Sequence, residues 1–134
     1  MGQFDSSILK NPEVFQENRM PAHSDHVPYA SLNEKNKKKT SLRESLNGLW
    51  KFAYAKNPSL AIEGFEKEDC DCHVWDDIRV PAHIQMEGYG NPHYTNPTYP
   101  WEGTEFIEPG EIPQVFNPVA SYVKYFTIPE NLKG

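Results

Sequence analysis

Leu49-Trp50-Lys51-Phe52-Ala53-Tyr54-Ala55 sets three aromatic rings, Trp50, Phe52 and Tyr54, at every second position, with Lys51 between the first two. A period of two puts the rings on one face of an extended strand and the lysine on the other, so the stretch predicts a half-buried strand beginning just after the turn signal Asn47-Gly48. Each ring is worth roughly 2 to 3 kcal/mol when buried. Trp50, the largest of them, is expected to be severely destabilising when truncated.

Two further strands are predicted on either side of long irregular connections. Trp75 to Val80 alternates Ile78 and Val80, read as inward, with Asp77 and Arg79, read as outward, and Pro81 ends it. Tyr122-Val123-Lys124-Tyr125-Phe126-Thr127-Ile128 is rich in β-branched and aromatic residues and is closed by Pro129. Asn57-Pro58 opens a segment to Phe65 with the cap and first-turn residues of one or two helical turns. Residues 102–118 are acidic and rich in Pro and Gly, which predicts irregular connection. Residues 1–44 lack alternation and read as an extended arm, with Val14, Phe15, Met20, Val27, Pro28 and Tyr29 as scattered apolar anchors to another surface. Ser41-Leu42-Arg43-Glu44 has capping-box spacing, but Asn47-Gly48 follows too soon for more than a turn.

Three strands leave unpaired edges and one uncovered apolar face, so the pattern predicts an all-β sandwich that is incomplete here. Asn131-Leu132-Lys133-Gly134 reads as a turn before a further strand, and a fragment of a longer chain is expected. The alternative is a small complete sandwich with strands that the alternation does not reveal.

Composition excludes several function classes. The 134 residues carry a formal net charge of −6, which repels rather than attracts a nucleic-acid backbone. The short basic run Lys35-Asn36-Lys37-Lys38-Lys39 reads as a solvated loop. No apolar run reaches the ~20 residues that span a bilayer, and the amino terminus lacks the order of a secretion signal, so no membrane partner and a cytoplasmic location are expected. Cys70 and Cys72, separated by one residue, are too close for an unstrained disulfide and are expected to be free thiols. His73 beside them does not complete the four ligands of a structural zinc site, and His23 and His26 around Asp25 read as surface residues. No metal ligand is predicted.

Gln85 to Pro100 has neither helical nor strand periodicity and is dense in rings, amides and prolines. Pro92, Pro97 and Pro100 restrict their own φ and push the preceding residues toward extended geometry, which makes a stiff loop. Tyr89, Tyr94, Tyr99 and Trp101 offer ring faces to the C–H face of a sugar, and Asn91 or Asn96 offers an amide that both donates and accepts. An ordered surface loop without a ligand is the other reading. Glu87, Glu102, Glu105, Glu108 and Glu111 lie nearby and read as a solvated acidic edge, so no catalytic residue is assigned.

Taken in order, Asn11-Pro12-Glu13-Val14, Asn18-Arg19, Pro21-Ala22-His23, Ser45 to Phe52, Val80-Pro81, Gln85 to Tyr89 and Tyr94-Thr95-Asn96-Pro97-Thr98-Tyr99-Pro100 resemble the amino-terminal part of the large bacterial β-galactosidases in the second glycoside hydrolase family. The resemblance covers nearly the whole chain from Asn11. It implies a galactose-binding-like jelly-roll β-sandwich, the sugar-binding domain, of which 45–134 is the first part and 1–44 the preceding arm. It further implies that Asn96 hydrogen-bonds the galactosyl unit, with Tyr94 and Tyr99 bracing the loop. Pro97 departs from the small apolar residue of the best-known members, which bears on contacts with the second sugar.

Other parts of such an enzyme, a catalytic barrel above all, carry the two glutamates of a retaining mechanism and the ligands for magnesium and, in some members, sodium. This stretch alone is then inactive and binds no cofactor. Its implied partners are a galactoside substrate, the remaining domains, and further copies of the full-length chain. The rival functions are a free-standing carbohydrate-binding module and an interaction fragment.

Overall fold

A computed structural model describes residues 6–91 and 99–133. The aromatic strand is central to it. β1 (Gly48–Ala55) pairs antiparallel with β2 (Asp76–Val80) on one side and with β3 (Val119–Val123) on the other, giving the order β2-β1-β3. Trp50 stands opposite Ile78, Phe52 opposite both Asp76 and Tyr122, and Tyr54 opposite Ala120. Directly opposed residues share a face, so the rings of β1 gather with Ile78 and Tyr122 on one side of the sheet. Phe52 and Ile78 are each only 1% exposed. Tyr122 meets Phe52 at 5.0 Å between ring centroids and Trp50 at 6.4 Å, the latter edge-on.

Trp50 is half-buried rather than central. Its indole Nε1 donates to the Leu46 carbonyl (2.7 Å), and the Lys124 ammonium lies over its ring. The structure thus moves the weight of the core from Trp50 to Phe52. The opposite face is more polar: Lys51 pairs with Asp77 (3.1 Å) and reaches the Trp75 carbonyl (3.4 Å), while Ala55 and Ser121 are buried. Cys70 and Cys72 are free thiols, Cys72 buried and within 3.4 Å of the Tyr125 hydroxyl. That thiol contact, the first of several causes, holds the Tyr125 hydroxyl above the ordinary phenol range.

β3 differs from its expected span, beginning three residues early and ending at Val123. Its early start follows from β1, which continues to Ala55 and takes Val119 as a partner, while Pro118, lacking an N–H, precedes the strand. Its early end follows from Lys124, whose ammonium donates to the Leu49 carbonyl (3.0 Å), and from Tyr125, which turns to the cysteine segment. Phe126 and Ile128 are left exposed.

The arm is not wholly extended. Ser6–Lys10 forms a 3-10 turn, and a short helix, α1 (Leu32–Lys37), takes in the start of the basic run read as loop. Ser31 caps that helix by accepting the Glu34 N–H (3.3 Å), and the Glu34 carboxylate accepts from the Ala30 and Ser41 N–H groups. Hydrogen bonds from Ser41 first and Ala30 second hold the Glu34 carboxyl below its ordinary range. Ser31-x-x-Glu34 is a capping-box spacing, with no apolar stripe after it to mark a helix by periodicity. Asn57-Pro58 starts only a 3-10 turn, Pro58–Leu60, because the Asn57 side-chain oxygen is taken by Ser59 Oγ (2.8 Å) instead of capping. Ser41 to Glu44 forms no helix.

Candidate functional site

The Gln85–Pro100 loop leaves the sheet through a 3-10 turn, Ile84–Glu87, directly after β2. Gly88 ends that turn in the left-handed region (φ 97°), where a glycine pays no Cβ penalty, and the Tyr89 N–H closes back on the Ile84 carbonyl (3.0 Å). The reversal turns Tyr89 onto the sheet. Its ring packs edge-on against Phe52 (4.6 Å) and beside Tyr54 (5.9 Å), and its hydroxyl donates to Asp76 Oδ2 (2.8 Å) at the start of β2. The hydrogen bond to that carboxylate, with burial second, raises the hydroxyl above the ordinary phenol range. Arg79 Nε and Nη2 both reach Glu87 Oε1 (3.2 and 2.8 Å), a second tie between the turn and β2.

Gly90 follows with φ 67°, and a Cβ placed there would lie 2.9 Å from the Tyr54 hydroxyl oxygen. The loop therefore crosses β1 in close contact at Tyr54. Where the chain is next described, Trp101 Nε1 donates to the Phe116 carbonyl (2.7 Å), and the neighbouring Asn117 N–H donates to the carbonyl of Lys56, just past β1. Segment 113–117 is held in turn by the Glu105 carboxylate, which accepts the Gln114 and Val115 N–H groups (2.7 and 3.0 Å). Both ends of the loop are thus tied to the carboxyl-terminal end of β1, at Tyr54 and Lys56.

Residues 43–134 match the sugar-binding domain of the family 2 glycosyl hydrolases. The chain belongs to that family. It is 53% identical over 129 residues to a beta-galactosidase of Halalkalibacterium halodurans and 43% identical over 127 residues to one of Streptococcus thermophilus. Those alignments take in 96% and 95% of this chain but only 13% and 12% of the relatives. A beta-galactosidase large subunit of Leuconostoc lactis is 40% identical over 140 residues, which is 94% of this chain and 22% of that protein.

Within this family 2 domain the residues singled out by sequence separate into distinct roles. Asn96 and Tyr94 lie outside the described residues. Tyr89 is a support, not a sugar platform, because Gly88 turns its ring into the aromatic cluster. Trp101 is half-buried with its indole N–H committed to Phe116, whereas Tyr99 is 81% exposed, so its ring does not brace the described part of the loop. Asn91 is exposed at the edge of the loop.

Four of the five nearby carboxylates serve the backbone or an ion pair. Glu87 takes Arg79, Glu102 accepts the Tyr99 N–H (2.9 Å), Glu105 clamps 114–115, and Glu111 pairs with Lys10. The clamp by Glu105 had no signal in the sequence beyond an acidic residue in a Pro-rich stretch. Among the described residues no three His, Cys, Asp or Glu side chains converge to hold a metal ion. The magnesium implied by family resemblance finds no ligand set among those residues.

Proposed function

We propose that this chain is the sugar-contacting amino-terminal part of a cytoplasmic β-galactosidase, one that releases terminal β-D-galactose with retention, and that Asn96 is its galactose contact. The observation that carries the reading is the 53% identity over 96% of the chain to a beta-galactosidase. The geometry supports it: a loop whose two described ends are anchored beside Tyr54 and Lys56 is a suitable mount for a ligand-orienting amide.

In this reading the chain binds and orients while other parts of a longer protein perform the bond cleavage. A retaining mechanism needs two carboxyl groups about 5 Å apart on either side of the glycosidic bond, one as nucleophile and one as acid and base. Glu87, Glu102 and Glu105 are already engaged by an arginine or by backbone N–H groups. The catalytic pair and the magnesium ligands are supplied outside this stretch, and copies of the longer protein assemble. Among the described residues no helix is long and apolar enough to cross a membrane.

The test is an assay of the longest open reading frame containing this sequence, on matched nitrophenyl β-galactoside, α-galactoside and β-glucoside. Selective release from the β-galactoside, with the β-anomer of galactose formed first, is the expected result. No hydrolysis of the β-galactoside, or inversion at the anomeric carbon, overturns it.

A further inference from the structure

The polar side of the sheet carries a cavity of about 410 Å³ that the galactoside reading does not use. Cys70, Cys72, His73 and Tyr125 line it together with Lys51, whose side chain lies on the face opposite to the one where Phe52 meets Tyr89. Both thiols are free; Cys72 is 4% exposed and Cys70 is half-buried. The segment that bears them is a run of closed turns. The Cys70 N–H donates to the Lys67 carbonyl (3.2 Å), the His73 N–H to Asp71 Oδ1 (2.9 Å) and the Trp75 N–H to the Cys72 carbonyl (3.1 Å). From beyond β3 the Tyr125 hydroxyl lies 3.4 Å from Cys72 Sγ and 3.5 Å from the Cys70 carbonyl oxygen. The two cysteines therefore border one cavity on a backbone that is already tied, and little ordering is left for a ligand that joins them.

The chemistry of the cavity narrows what that ligand is. Glu68, Asp69 and Asp71 also line it, while the Lys51 ammonium is already paired with Asp77 (3.1 Å), so its charge favours a cation. Two sulfur donors fall short of the four ligands of structural zinc, and among the described residues no group of three His, Cys, Asp or Glu side chains could hold a metal ion. A pair of thiolates instead suits a soft cation that accepts two sulfur ligands in line, which is the preference of Cu(I). The one-residue spacing that strains a disulfide also suits a bridging ion, because the sulfurs then stand two bonds apart.

We propose that Cys70 and Cys72 form a two-thiolate site for a Cu(I) ion, separate from the galactose site. Two S–H bonds are exchanged for two Cu–S bonds, both protons pass to solvent, and copper stays in the same oxidation state, so no oxidant or reductant is consumed. The inference does not rest on the function proposed above.

The experiment titrates the full-length protein, free of oxygen, with Cu(I) buffered by a chromophoric chelator, and compares the parent with the double variant Cys70→Ser, Cys72→Ser. Cysteines elsewhere in the longer chain are common to both, so the difference reports this site. The parent is expected to withdraw one more equivalent of Cu(I) per chain than the double variant, with no difference in bound Zn(II). Equal uptake of Cu(I) overturns the inference, and so does a matching loss of Zn(II), which requires a fuller ligand set. Unfolding midpoints are read alongside, because Cys72 is buried. Should the double variant fail to fold, Cys70→Ser, which changes only the half-buried thiol, carries the comparison. With one of its two ligands gone it is expected to lose the same equivalent, and full retention of that equivalent overturns the inference.

Discussion

Phe52→Ala is expected to lower the unfolding free energy by about 3 to 5 kcal/mol, the range for emptying a buried phenylalanine site. Phe52 is 1% exposed, sits between β2 and β3 in register, and packs against the rings of both Tyr89 and Tyr122. Its removal leaves a cavity where the sheet and the loop turn meet. Few other residues share the load, since Ile78 is the one other fully buried large side chain among the described residues. Trp50→Ala, by contrast, removes a half-buried ring whose site opens to water, and its cost is expected to be smaller. Urea unfolding followed by circular dichroism compares them. A larger shift in midpoint for Phe52→Ala agrees with the structure; an equal or reversed order contradicts the placement of the core.

Asn96→Ala in the full-length enzyme is expected to reduce kcat/KM on a β-galactoside by about 10- to 100-fold, the effect of losing one or two hydrogen bonds to sugar hydroxyls and leaving their partners unpaired. Its unfolding midpoint is expected to stay at the parental value, because the described anchors of the loop are at Tyr89, Gly90 and Trp101. Asn96→Asp serves as a control: it keeps the acceptor and removes the donor, and is expected to fall between the parent and the alanine variant. An unchanged kcat/KM for Asn96→Ala removes Asn96 from the site.

The strands were legible where local alternation sufficed. Trp50, Phe52 and Tyr54 at period two marked β1, and Ile78 between Asp77 and Arg79 marked β2, because one buried face imposes that pattern. β3 was misplaced because its ends are set by partners far along the chain: Ala55 draws in Val119, and the Leu49 carbonyl captures Lys124. Strand propensity in Tyr125, Phe126 and Ile128 carries no information about whether a neighbour exists to pair with. Helix α1 was missed for a different reason, since its stability comes from the Ser31 and Glu34 caps and not from an apolar face.

The loop shows the same division. Its family was readable from ordered motifs. The side to which each ring faces was not, because that depends on Gly88 reversing the chain and on Asp76 standing where the Tyr89 hydroxyl arrives. Tyr89 looked like a sugar platform by composition and is a brace by geometry. Glu105 was one of several acidic residues in sequence and is the clamp of 114–115 in space.

The most direct measurement is a structure of the full-length enzyme with galactose bound. The account predicts an Asn96 side-chain oxygen or nitrogen within about 3 Å of a galactosyl hydroxyl, with the Tyr89–Asp76 bond intact behind it. Galactose seated with Asn96 beyond hydrogen-bond reach of every sugar hydroxyl would contradict it.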